Sequence, residues 1–365
     1  MTYGRKLYRR SPIGLMFRWA SLQLQALCDL VTDKAILKRL GRLPQTLKKL
    51  YQKILDKIQR YSAEADRVYA ENALAWLLCS QKRLDSDEFL AAISTTDRLT
   101  EPLSKDQVLR LCSNFVTFDS TLDSFRFAHL SVREFLEGQL AYRTSAINSI
   151  AARCCLTILI TSNATAQRSC LQQYASCFWA PHCQNAGNDR ENGPVQVILE
   201  EFLSDTAPQS PFSAWNQYKV PHNLDSSLRS KICASQTDKP CGLYVASVFN
   251  FVEIVKSRTQ QETDLSRLHK CATLSALYGS GKTLEVFLSL KESMAIVDVV
   301  KAAAGNFGSG KDVMALLLKK KGDQVEITEK LVCFIAGRFD VRSMALLLEK
   351  KGSNFLRSEI HNKSL

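Results

Sequence analysis

The 365-residue sequence contains no Cys-x-x-Cys pair, no Gly-x-Ser-x-Gly elbow and no uninterrupted apolar run of bilayer length. Each absence removes a class. Without thiols paired at finger or ribbon spacing, the twelve cysteines do not spell a structural zinc site. Cys170, Cys177, His182 and Cys183 come nearest, but their spacing fits no zinc pattern and apolar residues fill the gaps. Without the elbow, hydrolase chemistry has no nucleophile to rest on. A membrane helix needs about 20 consecutive, mostly apolar residues, and no such run is present. Fifteen glycines and nine prolines are few for this length, so most of the chain should be ordered and, from its periodicity, helical. Acids are missing before Asp29, whereas Arg5, Lys6, Arg9, Arg10 and Arg18 precede it. That composition suits a mitochondrial presequence or the basic start of a structured helix over residues 14–30, and the helix is favoured.

What is present is positive charge, dispersed cysteine and repetition. The net charge is +12, concentrated in residues 34–60 at helical spacing. No aromatic-interleaved basic strand or base-reading helix accompanies it, so the charge reads as a solvated face and nucleic acid is not an expected partner. The cysteines fall on apolar faces (Cys79, Cys112) or in apolar runs (Cys154, Cys155), as reduced, core-filling thiols of a cytoplasmic protein.

Gly-Ser-Gly-Lys occurs twice, at residues 279–282 and 308–311. A phosphate-binding loop needs Gly-x-x-x-x-Gly-Lys-[Ser/Thr], with backbone N–H groups cradling phosphate and the hydroxyl on magnesium. The first copy has Gly281-Lys282-Thr283 but Ala276 in place of the first glycine. The second has Gly305 and Gly310-Lys311 but Asp312 in place of the hydroxyl, where it would repel phosphate. The flanking segments read as helices, not buried strands. A repeat accounts for more. The run from Lys311 to Gly322 returns as Val341 to Gly352, with Met314 and Met344 in register 30 residues apart, and Leu284-Glu-Val-Phe-Leu-Ser-Leu is a weaker copy. Helices at residues 297–304 and 328–336 lie between. A period near 30 with two short helices per unit is the pattern of an α-solenoid, whose units bury their apolar faces by stacking. The glycines then serve as helix stops and turns, and no cofactor is expected.

Other elements follow from local signals. Pro44 opens a helix over residues 45–60 with Leu47, Leu50, Tyr51, Ile54, Leu55 and Ile58 in one stripe. Residues 65–79 form a helix with Leu74, Leu77 and Leu78 inward. Asp85–Glu88 is an N-cap cluster, and Ser104 with Gln107 a capping box. Residues 115–118 and 125–128 alternate as a hairpin about a turn at 119–124. Ser131 with Glu134 forms a further capping box, starting a helix to about Arg143. Three helices, a hairpin and a helix in this order describe a winged-helix domain. Residues 146–235 are helical at first and loosen around 185–194 and 207–211. Residues 242–255 look like an ankyrin helix–turn–helix, with Asn250 at its turn glycine.

The order of these blocks resembles the C-terminal two-thirds of fungal NACHT-type (STAND, NLR-like) NTPases with ankyrin repeats, linked to non-self recognition and heterokaryon incompatibility. The resemblance rests on residues 14–27, Leu43-Pro-Gln-Thr-Leu, Ala75-Trp-Leu-Leu-Cys79 and Phe127-Ala-His-Leu-Ser-Val-Arg-Glu-Phe-Leu136. It rests also on Tyr174-Ala-Ser-Cys-Phe-Trp-Ala-Pro-His182 and the Ala-Ala-Ala-Gly-Asn stretch from Ala302. It implies the end of a helical arm at 1–62, a winged helix at 63–145, a helical linker at 146–238 and ankyrin-like repeats at 239–365. It implies a signalling switch whose ATPase module, with its phosphate loop, would lie upstream of Met1. The fold expected is therefore mainly α with one small hairpin. The function expected is a non-enzymatic, cytoplasmic scaffold that binds a protein through its repeats. The alternative is part of an ATP/ADP-controlled switch completed by a NACHT module in trans. His129 resembles in placement the family histidine that reaches the β-phosphate of ADP, and would sense nucleotide only beside such a module; without one it reads as a histidine satisfying backbone groups at the hairpin-to-helix junction.

Overall fold

A computed structural model describes residues 46–95, 103–161, 170–204, 206–290, 296–306 and 310–321. Among them the chain is mainly helical, with one two-stranded antiparallel sheet. It divides into two compact units between Leu199 and Glu200. The expected helices at 14–30 and 328–336, and the second full copy of the repeat at 341–352, lie outside the described residues.

In the first unit, α1 (Leu47–Gln59) begins where the Thr46 hydroxyl accepts the Lys49 N–H at 3.3 Å. Its stripe of Leu50, Tyr51, Leu55 and Ile58 is buried, as the spacing demands. Along α2 (Glu64–Cys79) the buried side is Tyr69, Ala70, Ala73, Leu74 and Trp76, while Leu77 and Leu78 are half-buried. Trp76 claims the inward position, which turns its two successors toward the rim. Both capping boxes form: Asp85 with Glu88 opens α3 (Ser86–Ser94), and Ser104 with Gln107 opens α4 (Lys105–Leu111).

The hairpin pairs β1 (Val116–Asp119) with β2 (Ser124–Phe127), Phe118 opposite Phe125. Its turn is pinned from two sides, because the Asp123 carboxylate accepts from Ser86 Oγ at 2.8 Å and from Lys105 Nζ at 2.9 Å. These bonds hold the Asp123 carboxyl below its usual range. Phe125 stacks on Phe89 at 4.8 Å, fixing the sheet on α3.

Beyond the hairpin comes α5 (Leu130–Glu137), shorter than the sequence suggests. It stops at Gly138, and a 3₁₀ turn at Leu140–Tyr142 precedes α6 (Thr144–Thr161). Against the expectation that no such run exists, α6 is by length and composition apolar enough to cross a bilayer, but 56% of it is buried, packed against α2 and α7 (Gln172–Asn185). The expected loosening is found at residues 206–210, which form a non-helical turn, but not around 185–194, where the chain stays mostly helical. Here α8 (Asn188–Asn192), α9 (Pro194–Ser204) and α10 (Pro211–Asn216) follow closely. The prolines mark helix starts, since the first turn has no intrahelical use for the N–H they lack.

The second unit continues through α11 (Ser226–Ser235) into three helix pairs. These are α12 (Gly242–Phe249) with α13 (Val252–Thr259), α14 (Leu265–Leu277) with α15 (Gly281–Leu288), and α16 (Ile296–Gly305) with α17 (Gly310–Lys321). First helices pack on first helices, α12 on α14 on α16, and second on second, α13 on α15 on α17. Between partners the chain reverses through a left-handed residue, Asn250 at φ 60° and Gly279 at φ 73°. Each is followed by an N–H that reaches back five residues: Phe251 to the Ala246 carbonyl at 2.9 Å, Ser280 to the Ser275 carbonyl at 2.8 Å. This closes the helix in the Schellman manner.

Candidate functional site

His129 sits where the hairpin hands over to α5 and satisfies a backbone group there. The helix begins at Leu130, and His129 itself is the N-cap, in an extended conformation, its Nδ1 accepting the Ser131 N–H at 3.1 Å. Ser131 loses the capping role because its hydroxyl is drawn elsewhere. It lies 2.6 Å from His129 Nδ1 and 2.7 Å from the Tyr51 hydroxyl of α1. With Nδ1 accepting the Ser131 N–H, the chain of donation runs Tyr51 to Ser131 to His129. The arrangement locks α1 to the start of α5, and among the described residues Nε2 has no hydrogen-bond partner beside that helix N-terminus.

The first Gly-Ser-Gly-Lys forms the α14–α15 turn, and its polar groups are already used. The N–H of Gly279 bonds Ala276, that of Ser280 bonds Ser275, that of Gly281 bonds Gly279 and that of Leu284 bonds Ser280. The Thr283 N–H goes to Asn250 Oδ1 at 3.1 Å. Ser280 Oγ donates to the Val248 carbonyl at 2.9 Å. Thr283 Oγ1, fully buried, lies 2.9 Å from the Ser280 carbonyl and 3.1 Å from Ser275 Oγ. A phosphate loop points such amides outward at the ligand. Here four of these amides are spent within the α14–α15 pair, and the Thr283 N–H and the Ser280 hydroxyl tie that pair to the one before it. Of the second copy, Gly308 and Ser309 lie outside the described residues, while Gly310 opens α17. Asn306 makes the corresponding step, its side-chain amide donating to the Ala276 carbonyl at 3.4 Å.

Between α13 and α15 runs a groove of about 660 Å³, lined by Val252, Lys256, Lys282, Glu285, Val286 and Leu290 among others. Sequence reasoning passed over it because its walls come from two different pairs. Helical spacing within α13 (Val252, Lys256) and α15 (Lys282, Val286) was the available signal.

His182, set aside from the metal-like cluster, is wholly buried and doubly bonded. Its Nδ1 is 2.8 Å from Asn148 Oδ1 and its Nε2 is 2.9 Å from the Tyr174 hydroxyl. Burial pushes its pKa down to about 3, so the ring is neutral. Burial likewise pushes the Cys79, Cys112 and Cys154 thiols up to about 12, which keeps them protonated and unreactive. Among the described residues no three His, Cys, Asp or Glu side chains gather as metal ligands.

One family model matches the chain, a domain of unknown function (DUF7104), over residues 297–314 and again over 316–333. The first match starts in α16 and ends in α17, and the second begins within α17 and runs on past the described residues. No curated protein and no solved structure matches.

Proposed function

We propose that the chain is a non-enzymatic interaction scaffold. Its three helix pairs act as an ankyrin-like solenoid whose surface takes a protein partner. Residues 63–145 act as a winged-helix docking or regulatory element. The arrangement is similar to the sensor half of a fungal NLR-like signalling protein, and its neutral buried thiols suit the reducing cytoplasm. What supports this reading most is the set of turn hydrogen bonds that cross from one pair to its predecessor. They make the Gly-Ser-Gly-Lys turn a stacking device, and stacking builds the extended surfaces repeat proteins bind with.

His129 favours a second reading, a nucleotide-controlled switch completed in trans by a NACHT module, because its Nε2 has no hydrogen-bond partner among the described residues and lies beside the start of α5.

Affinity enrichment separates the scaffold from its alternatives. The wild-type chain is compared with charge reversals on the second helices (Lys256→Glu with Lys282→Glu) and on the first helices (Lys270→Glu with Lys301→Glu). A scaffold loses a saturable protein partner with one set and keeps it with the other, at unchanged circular dichroism. A partner retained by both sets, or turnover of MgATP by the chain alone, overturns the reading.

A further inference from the structure

We infer that the groove between α13 and α15 receives an acidic segment of a partner protein anchored by an aliphatic side chain, an inference that rests on the scaffold reading above. The groove's volume, about 660 Å³, lies in the range of built binding pockets. Its apolar part is Val252, Val286 and Leu290, each half-buried and so still open to a partner. Its rim carries one lysine from each helix. Lys256 and Lys282 are exposed, and neither has an acidic partner among the described residues. The acid in the lining, Glu285, is held by Lys320 at 2.8 Å, and that ammonium lowers its carboxyl below the usual range. Its charge is therefore answered from α17, and the two rim lysines are not opposed.

The surrounding helices extend the same sign. Together α13, α15 and α17 carry seven Lys and Arg (Lys256, Arg258, Lys282, Lys311 and Lys319 to Lys321) against three acids, Glu253, Glu285 and Asp312. Opposite charge at the rim steers the encounter, and aliphatic contact inside supplies affinity. A nucleic acid would satisfy the charge but not the interior. None of the nine lining residues is aromatic, so bases find nothing to stack on.

The test uses the full chain and random peptides of about a dozen residues displayed on phage. The enriched sequence is then made with a fluorescein label, and its affinity is measured by anisotropy. The expected consensus sets Asp or Glu around Leu, Ile or Val. Binding should weaken about tenfold in the Lys256→Glu/Lys282→Glu pair and less in the Lys256→Gln/Lys282→Gln pair, and should fall as salt rises. A neutral or basic consensus, an acidic peptide indifferent to both pairs, or no enrichment overturns the groove assignment. So does a labelled single-stranded DNA that binds more tightly than the peptide and is lost in the same variants. A peptide that binds but is displaced only by the first-helix reversals also overturns it, while leaving the scaffold reading intact.

Discussion

Acid should loosen the first unit through one side chain, His182. In the folded chain its pKa stands at about 3, against an ordinary value of 6.5, because burial penalises the charged ring. Asn148 Oδ1 takes the Nδ1 proton and the Tyr174 hydroxyl, itself accepting the Gln81 N–H at 3.0 Å, gives its proton to Nε2. No lone pair is left for a second ring proton. Below pH 6.5 the unfolded chain therefore binds a proton that the folded chain refuses. The stability this group contributes is complete above pH 6.5 and drains away as pH falls toward 3, at roughly 1.4 kcal/mol per pH unit. Between pH 7.5 and 5.0 the loss from His182 is about 2 kcal/mol. Urea unfolding followed by tryptophan fluorescence reads it, since Trp76 and Trp179 are buried in this unit and the Trp76 ring lies 5.9 Å from that of His182. The comparison is with His182→Gln, which keeps an amide in the cavity but does not titrate. The variant starts less stable at pH 7.5, so slopes matter rather than levels. Carboxylates contribute equally to both proteins. Wild type should fall about 2 kcal/mol further than the variant. Parallel curves would show that the ring is not buried neutral, and the reasoning would fail.

Two further predictions concern the stacking turns. Thr283→Val should cost about 1–3 kcal/mol in urea unfolding, because Thr283 Oγ1 is buried among the Ser280 carbonyl and Ser275 Oγ. Lys282→Ala in the same turn should stay within about 0.5 kcal/mol, and a reversed order would mean that Thr283 does not hold the turn. At Asn250, alanine should destabilise more than glycine, by about 1 kcal/mol or more, since both lose the bond to the Thr283 N–H but only alanine pays for φ 60°. Thermal melts of the two variants give the difference, and equal melts would mean the left-handed turn is not formed.

Legibility in the sequence tracked the distance between partners. The capping boxes at Asp85/Glu88 and Ser104/Gln107 were readable because each is complete within four residues. The hairpin was readable from alternation, and Asn250 from its place in a repeating unit whose other copies carry glycine. The N-cap of α5 was misassigned to Ser131 because Tyr51, 80 residues away, takes that hydroxyl. No local rule contains Tyr51. The helices from 188 to 216 were missed for a different reason. A proline is the same residue at a helix start and in a loop, and what distinguishes them is whether the following residues find a core, as Val195, Leu199, Phe202 and Phe212 do.

The same distinction decides what Gly-Ser-Gly-Lys means. Glycine, hydroxyl and lysine in succession give a chain that can turn tightly, bond locally and project a cation, and both a phosphate loop and a solenoid turn use all three abilities. What separates them is where the amides point. That depends on the residues packed behind the turn: Ser247, Val248 and Asn250 of the preceding pair each engage a polar group of Ser275, Ser280 or Thr283. A turn backed by such partners is fastened at every donor except the lysine, and the lysine faces the groove. Charge that serves phosphate in one setting is thereby released to meet a protein in the other, which is why Lys282, dispensable for stacking, is the residue on which recognition should depend.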